Sequence, residues 1–350
     1  MNNGIAMRLT SAILPLIIVV GLFSGCASTG DNKGTSSGEY DVFLENDKGE
    51  AVRPPLADKK AALTASEAHE KAQSAMSNGD MDSALFFYVK ALETDNKDEK
   101  ALLGIAKVHS QRGNYDLVTL AYRMLLGINP ESVTALEGLG LELVRKGERN
   151  EAKHWLLRTV ALDPMRPRTF SGLGILSDME KDFLAASSYY SYALELEPDS
   201  PKLLSNFGYS RFLAGDWTEA ERLYHLALDK DAEFAQARLN LGLLFARKGD
   251  LAQAQSEFER VLTKPQSYNE LGFILMTEKN YEQAEQLFQK AISSSPTFFL
   301  QANENLERVR ALRATQEKTQ AATEKAPIST GKTVTPAPAS NKGNTSSESK

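Results

Sequence analysis

The chemistry of this 350-residue chain is concentrated in its single cysteine, Cys26. A lone thiol forms no intrachain disulfide and cannot build a cysteine-based zinc or iron–sulfur site. The four histidines, His69, His109, His154 and His225, show no i,i+4 pairing that would put two imidazoles on one helix face for a metal. We therefore expect no metal and no cofactor. For Cys26 we expect a covalent role outside the folded body.

The segment before Cys26 has the features of a secretory signal. Arg8 is its only charge, and an apolar stretch runs from Leu9 to Phe23. A positive start followed by an apolar core of this length is typical of a signal peptide. The stretch is shorter than the roughly 20 residues that a membrane-spanning helix needs. Residues 1–25 are therefore predicted to be a signal peptide, with an uncleaved anchor as an alternative.

The residues from Leu22 to Cys26, LFSGC, are similar to a bacterial lipobox. That resemblance implies a diacylglycerol on the Cys26 thiol, cleavage before Cys26 and acylation of the new amine. An ordinary cleaved signal with a chance cysteine is the alternative. Ala27 follows the cysteine where an Asp would imply retention in the inner membrane of a Gram-negative bacterium. We expect a lipoprotein of the cell envelope, anchored in the outer membrane with its body facing the periplasm.

Residues 26–64 are polar and show neither a helical nor a strand period, which predicts a flexible tether. One apolar island interrupts this segment: Tyr40, Val42, Phe43 and Leu44. We interpret the island as an apolar spot within a linker, and docking on another surface is the alternative.

A 34-residue period governs the body of the chain. The small-residue column is Ala72, Ala106, Gly140, Gly174, Gly208, Gly242 and Gly272. The large-residue column is Tyr88, Tyr122, Leu156, Tyr190, Tyr224, Phe258 and Phe288. The last copy is four residues shorter than the others. Two columns that stay in phase over seven copies predict seven helix–turn–helix units across residues 65–296.

This pattern resembles the tetratricopeptide repeat, which implies an all-α, right-handed superhelical solenoid. A two-helix unit cannot bury its own apolar face, so stacked units share one continuous core. Residues 297–318 place apolar side chains at helical spacing, which predicts a capping helix over the last unit. Residues 319–350 are rich in Ser, Thr, Pro, Lys and Ala without an aromatic residue, and we expect them to be disordered.

Catalysis and nucleic-acid binding are not indicated. The glycines of GLGLEL at 138–143 lack the full phosphate-binding fingerprint and fall within a repeat column. Trp217 shares a column with Tyr115, Phe183 and Tyr281, so it is interpreted as a core residue. The net charge of −6 gives no basic excess for nucleic acid. We expect a protein that is not an enzyme.

The family geometry implies that the first helix of each unit lines a concave groove. One groove column holds Lys107, Leu141, Ile175, Tyr209, Leu243 and Phe273; another holds Ser110, Val144, Asp178, Phe212, Ala246 and Met276. Five consecutive units, from Leu141 to Phe273, thus put apolar side chains on the groove wall. Such an apolar stripe is typical of a binding surface for an amphipathic helix or an extended apolar peptide. Coverage of the stripe by the tether or tail is the alternative.

Two further features of the groove are predicted from its columns. Asn206 and Asn240 share one column, where their amides could hold the backbone of a partner peptide. Gly104, Gly138 and Gly172 recur in phase and should leave the middle of the groove shallow.

The end of the repeat region resembles the last repeat and cap of TadD-type lipoproteins of the tight-adherence (Tad/Flp) pilus system. The resemblance rests on Asn269, Leu271, Gly272, Phe273, Pro296, Phe298, Phe299, Ala302, Asn305 and Leu306. It implies a pilotin-like role, in which the protein binds the secretin or another pilus-assembly subunit and promotes its delivery and assembly. A type IV pilus pilotin and a general scaffold that recruits cell-wall enzymes are the alternatives.

Overall fold

The computed structural model describes residues 40–44 and 63–324, and these residues form fifteen α-helices and one 3-10 turn. The predicted signal peptide, Cys26 and most of the predicted tether and tail lie outside the described residues. The helices are α1 (Ala65–Ser77), α2 (Met81–Thr94), α3 (Glu99–Arg112), α4 (Tyr115–Ile128), α5 (Val133–Lys146), α6 (Arg149–Leu162), α7 (Pro167–Met179), α8 (Phe183–Leu196), α9 (Pro201–Leu213), α10 (Trp217–Lys230), α11 (Ala235–Arg247), α12 (Leu251–Glu259), α13 (Lys264–Thr277), α14 (Tyr281–Ser294) and α15 (Leu300–Glu324).

Consecutive helices pair from α1/α2 to α13/α14, and the seven pairs stack along the chain. The predicted all-α solenoid of seven units is confirmed. First helices of successive units also contact each other, from α5/α7 to α11/α13. They therefore line up along one side of the stack.

The helix ends follow from short-range chemistry. Thr64 and Glu67 form a capping box at the start of α1, with Thr64 N donating to Glu67 Oε2 at 2.8 Å. Side chains of Asp80, Asp182 and Asp250 accept hydrogen bonds from backbone N–H groups at the starts of α2, α8 and α12. These caps satisfy donors that a helix leaves unpaired in its first turn.

The large-residue column packs against glycine in two ways. Tyr190 lies against Gly174 of its own unit, where a Cβ would stand 2.8 Å from the ring. Tyr88 instead reaches Gly104 of the following unit, where a Cβ would stand 2.3 Å from the ring. A side chain at either glycine would force the tyrosine ring to move, because real contacts of a Cβ are longer than 3.0 Å.

The cap differs in length from its prediction. Helix α15 runs to Glu324, six residues past the predicted end at 318. Residues 319–324 are Thr-Gln-Ala-Ala-Thr-Glu, and strong helix formers among them let an existing helix continue. Ala302 and Val309 are fully buried, so the first half of α15 covers the last unit.

Part of the apolar island is packed on the solenoid. Asp41–Phe43 form a 3-10 turn, and we refer to residues 40–44 as the tether turn. Tyr40 is 4% exposed and Phe43 is fully buried, within the same core as α2 and α3. The interpretation of the island as a spot in a linker was wrong, because the residues that receive it belong to remote parts of the sequence.

The turn between the two helices of a unit has a positive φ at one position. Glycine occupies it in five units, for example Gly215 at φ 84°, whereas Lys181 and Lys279 occupy it at φ 61° and 66°. A side chain in this left-handed region is strained by about 1 kcal/mol or more.

Replacing Lys181 with Gly should therefore raise the free energy of unfolding by about 1 kcal/mol. The reciprocal change, Gly215→Ala, should lower it by a similar amount, because no atom lies within 4 Å of the added Cβ and only backbone strain acts. Thermal unfolding followed by circular dichroism measures both. Equal melting temperatures for Lys181→Gly and the unmodified chain would contradict this explanation.

Candidate functional site

The first predicted groove column forms a continuous half-buried stripe. Leu141 and Ile175 lie on α5 and α7, Tyr209 and Leu243 on α9 and α11, and Phe273 on α13. Each side chain is partly buried and partly open. Because these helices are neighbours along one side of the stack, the five side chains form an apolar path from the third unit to the seventh.

The second column is mostly closed. Val144 and Met276 are each 5% exposed, so they belong to the core and offer little area to a partner. Phe212 is half-buried and remains open on one side. Of the predicted groove residues, those with open apolar surface are therefore Leu141, Ile175, Tyr209, Phe212, Leu243 and Phe273.

An aromatic ladder marks the fifth unit. The rings of Tyr209 and Phe212 stack at 5.9 Å between centroids, and Phe212 stacks on Trp217 at 6.4 Å. Trp217 is 37% exposed, and the neighbouring Leu213 is 42% exposed. We define Tyr209, Phe212 and Trp217 as the aromatic ladder.

The assignment of Trp217 to the core was wrong. Trp217 is the first residue of α10, where the chain turns out of α9, and its side chain stays 37% exposed while it stacks on Phe212. Tyr115, in the same column, is also 40% exposed. In the sequence, the five-residue spacing from Phe212 to Trp217 was the feature that could have indicated a contact between these two rings.

Asn206 and Asn240 join successive units. The amide Nδ2 of Asn206 donates to Ser171 Oγ at 3.1 Å, and Nδ2 of Asn240 donates to Ser205 Oγ at 3.1 Å. Asn240 Oδ1 accepts from Gln236, and Asn240 is only 7% exposed. A role in holding a partner backbone therefore remains a prediction for the half-buried Asn206.

Side chains of neighbouring helices occupy the space beside the glycines that were predicted to make the groove shallow. Gly104 and Gly138 lie against the rings of Tyr88 and Tyr122, and a Cβ on either would stand 2.3 Å from a ring carbon. At Gly172 a Cβ would stand 2.8 Å from Leu141 Cδ2. The interpretation was wrong, because the space that a missing side chain leaves is taken by a neighbouring residue.

One carboxylate lies at the base of the aromatic ladder. Asp178 accepts hydrogen bonds from Ser210 Oγ at 2.6 Å and from the Tyr190 hydroxyl at 3.0 Å. Burial raises the pKa of Asp178 above its ordinary value, although both hydrogen bonds act in the opposite direction. Burial, together with the negative charge of Asp178, also raises the pKa of Tyr209. A half-buried acid therefore lies beside the apolar stripe, close to Tyr209.

The described residues match neither the pattern of a metal site nor that of a membrane-spanning helix. Residues 40–44 and 63–324 contain no cluster of three or more His, Cys, Asp or Glu side chains suited to a metal. Within the same ranges, none of the helices combines the length and apolar character that crossing a bilayer requires.

Two tetratricopeptide-repeat family models match the chain. One covers residues 206–269, and the other covers residues 68–98 and 265–298. Among curated proteins, a CTR9 homolog from Arabidopsis thaliana is 29% identical over 113 residues, which is 32% of this chain and 10% of that protein.

Solved structures share the fold at low identity. A tetratricopeptide repeat protein from Parabacteroides merdae ATCC 43184 aligns with a TM-score of 0.55 and 18% identity, covering 70% of this chain and 98% of that one. PilW, described as a widely conserved type IV pilus biogenesis factor, aligns with a TM-score of 0.51 and 20% identity, covering 56% of this chain and 93% of that one. By its repeats and its fold, the part of the chain that the structure describes forms a solenoid of the tetratricopeptide-repeat type.

The environment of Asp178 predicts a pH effect. A carboxyl group whose pKa is higher in the folded state favours folding when it is protonated. Its contribution is therefore lost as the pH rises from about 4, the ordinary Asp value, through the raised folded value. Relative to Asp178→Asn, the unmodified chain should lose stability across this window, as measured by urea unfolding at a series of pH values. A difference between the two proteins that stays constant with pH would contradict the assignment.

Proposed function

We propose that this protein is a lipid-anchored adaptor of the bacterial envelope that serves pilus assembly by holding a subunit of the machinery in its groove. The observation that carries the proposal is the half-buried apolar stripe from Leu141 to Phe273, with the aromatic ladder beside it. Tetratricopeptide repeats typically act as non-catalytic scaffolds for protein interactions, and the proposal gives this chain no enzymatic role.

The stripe fits an amphipathic helix or an extended apolar segment. Tyr and Trp side chains contribute strongly at protein interfaces, because they bury a large area with few rotatable bonds. Tyr209, Phe212 and Trp217 offer three such rings at one place, flanked by the exposed Leu213. We expect the partner to place its apolar side chains here.

The lipid at Cys26 is the second part of the proposal. Several acyl chains, at about 0.8 kcal/mol per buried CH₂ group, hold a protein stably at a membrane. With the body in the periplasm and the lipid in the outer membrane, a captured subunit is kept at the membrane where it assembles. The anchor and the groove then act as two linked binding modules, which raises the local concentration of the partner.

The assignment to a pilus system is supported by the TadD-like residues at the last unit. Two of them contact each other: Asn305 Nδ2, on the cap, donates to Asn269 Oδ1 at 3.0 Å, and Asn269 is 1% exposed. These residues thus fasten the cap to the last unit. We propose a pilotin-like role in a Tad/Flp system, with the secretin or another assembly subunit as the partner.

A type IV pilus pilotin is the second candidate. The fold shared with PilW, described as a type IV pilus biogenesis factor, favours it. The two candidates make the same use of groove and anchor and differ in the identity of the captured subunit.

Photo-reactive side chains at Tyr209 and Leu243 should capture the partner in cells, and mass spectrometry identifies it. We expect a pilus secretin or another subunit of pilus assembly, since both positions lie on the open stripe. Capture of cell-wall enzymes instead would replace the pilus role with that of a general envelope scaffold.

Loss of the aromatic ladder should release this partner. The double variant Tyr209→Ser, Phe212→Ser should recover at least about tenfold less of it, because hot-spot truncations each cost about 2 kcal/mol or more. Leu184→Ser is the matched control, since Leu184 is 84% exposed on α8, away from the stripe. Unchanged recovery from a double variant that is folded by circular dichroism would overturn the proposed site.

The anchor is tested separately by Cys26→Ser. Metabolic labelling with a radioactive fatty acid should mark the unmodified protein and leave the variant unlabelled. The variant should also leave the outer-membrane fraction, because thioether attachment requires the thiol. Labelling that persists in Cys26→Ser would contradict lipidation at this residue.

A further inference from the structure

The tether turn is held by two backbone hydrogen bonds of its own and by one to the solenoid. Phe43 N donates to Tyr40 O at 3.0 Å, and Leu44 N donates to Asp41 O at 2.9 Å. The carbonyl of Phe43 lies 3.1 Å from Nε2 of the buried His109 on α3. Because a carbonyl oxygen can only accept, Nε2 carries the proton of this bond. The turn is therefore joined to the solenoid by a directional bond.

Two aromatic side chains of the turn enter the fold. Phe43 is fully buried, with its ring 6.1 Å from the His109 ring, and Tyr40 is 4% exposed. Val42, between them, is 41% exposed. This inward–outward pattern distinguishes a docked segment from an apolar spot in a linker.

The surface that receives the turn differs from the same surface on the other units. Val89 and Leu85 on α2 are 1% and 0% exposed, and α2 contacts the turn. At the place of Val89, the other six units carry exposed residues: Arg123, Leu157, Ser191, His225, Glu259 and Gln289. The outward face of α2 is therefore apolar where most of the other units are polar, and the turn covers it.

His109 is equally specific to its unit. At its place the other units carry Ala75, Leu143, Ser177, Arg211, Phe245 and Leu275. Among these residues only His109 provides both a ring for Phe43 and a donor for the Phe43 carbonyl. The ring and the carbonyl of Phe43 thus each have a partner in His109.

We infer that the outward face of α2, together with His109, is a docking site for the chain's own Tyr-Asp-Val-Phe segment, and that this contact is a strap which holds the solenoid near its membrane anchor. The second part rests on the proposed lipid at Cys26. Tyr40 lies 14 residues after Cys26, and Thr64 lies 38 residues after it. At about 3.5 Å per extended residue, docking lowers the greatest span between anchor and solenoid from about 130 Å to about 50 Å.

The strap leaves the groove available. The turn contacts α2 and α3 of the first two units, whereas the apolar stripe runs from the third unit to the seventh. The docked segment therefore limits how far the stripe can lie from the membrane, and residues 40–44 do not cover it.

Hydrogen exchange of the purified full chain tests the docking. The peptide that contains residues 40–44 should exchange at least about tenfold more slowly in the unmodified chain than in Phe43→Ser or Val89→Arg. Val89→Arg installs the residue that the second unit carries at this place. Val42→Ser, on the exposed side of the turn, is the matched control and should keep the protection. Equal exchange in all four proteins would overturn the docking site.

Distance to the membrane tests the strap. The lipidated chain with Glu70→Cys carries one free thiol, on the exposed side of α1, for a donor dye. In vesicles of phosphatidylethanolamine and phosphatidylglycerol with an acceptor-labelled lipid, energy transfer should fall in Phe43→Ser and Val89→Arg but not in Val42→Ser. Unchanged transfer in variants that have lost protection would overturn the strap. Failure of the chain to join vesicles would contradict lipidation and leave the docking result intact.

Discussion

The contact between a large side chain and a glycine of a first helix is the constraint on which the rest of the solenoid depends. At Gly208, Gly242 and Gly272 a Cβ would stand 2.5–2.8 Å from the Tyr224, Phe258 or Phe288 ring. The helices of a unit can approach this closely only because no side chain intervenes. In the first two units the ring crosses to the next unit instead, because glycine stands there at Gly104 and Gly138. From α5 to α13 the first helices of successive units contact each other, and this row aligns the apolar stripe.

Buried hydrogen bonds between side chains connect successive units and favour the observed rotation between them. Thr169 Oγ1 donates to Glu137 Oε1 at 2.9 Å, and Ser210 Oγ donates to Asp178 at 2.6 Å. Asn240 and Ser205 form a similar hydrogen bond. A buried polar group that loses its partner costs about 1–3 kcal/mol, so a stack with another rotation would lose several such bonds.

The two ends of the solenoid differ in the surface that they present. Units one and two carry the apolar outer face of α2 and the donor His109, which hold the tether turn. Units three to seven carry the half-buried stripe and the aromatic ladder on the row of first helices. In the proposed adaptor, one end of the molecule is held toward the membrane while the other presents the partner. This division separates the anchor from the cargo along one solenoid.

The sequence by itself determined the class of fold, because a repeated unit shows its helices, turns and closely packed columns at fixed spacing. The positions of the stripe came from the geometry that the resemblance to the tetratricopeptide repeat implies, and the structure finds these side chains half-buried on neighbouring first helices. Only the tertiary structure decided the roles of Trp217, of Gly104 and Gly138, and of Phe43. Each of these depends on how the chain packs around the residue: a tryptophan that stays 37% exposed at a helix start, a ring from the preceding unit, and a histidine 66 residues away. Periodicity reports the face on which a residue lies, but the contacts that cover that face are formed only when the units stack.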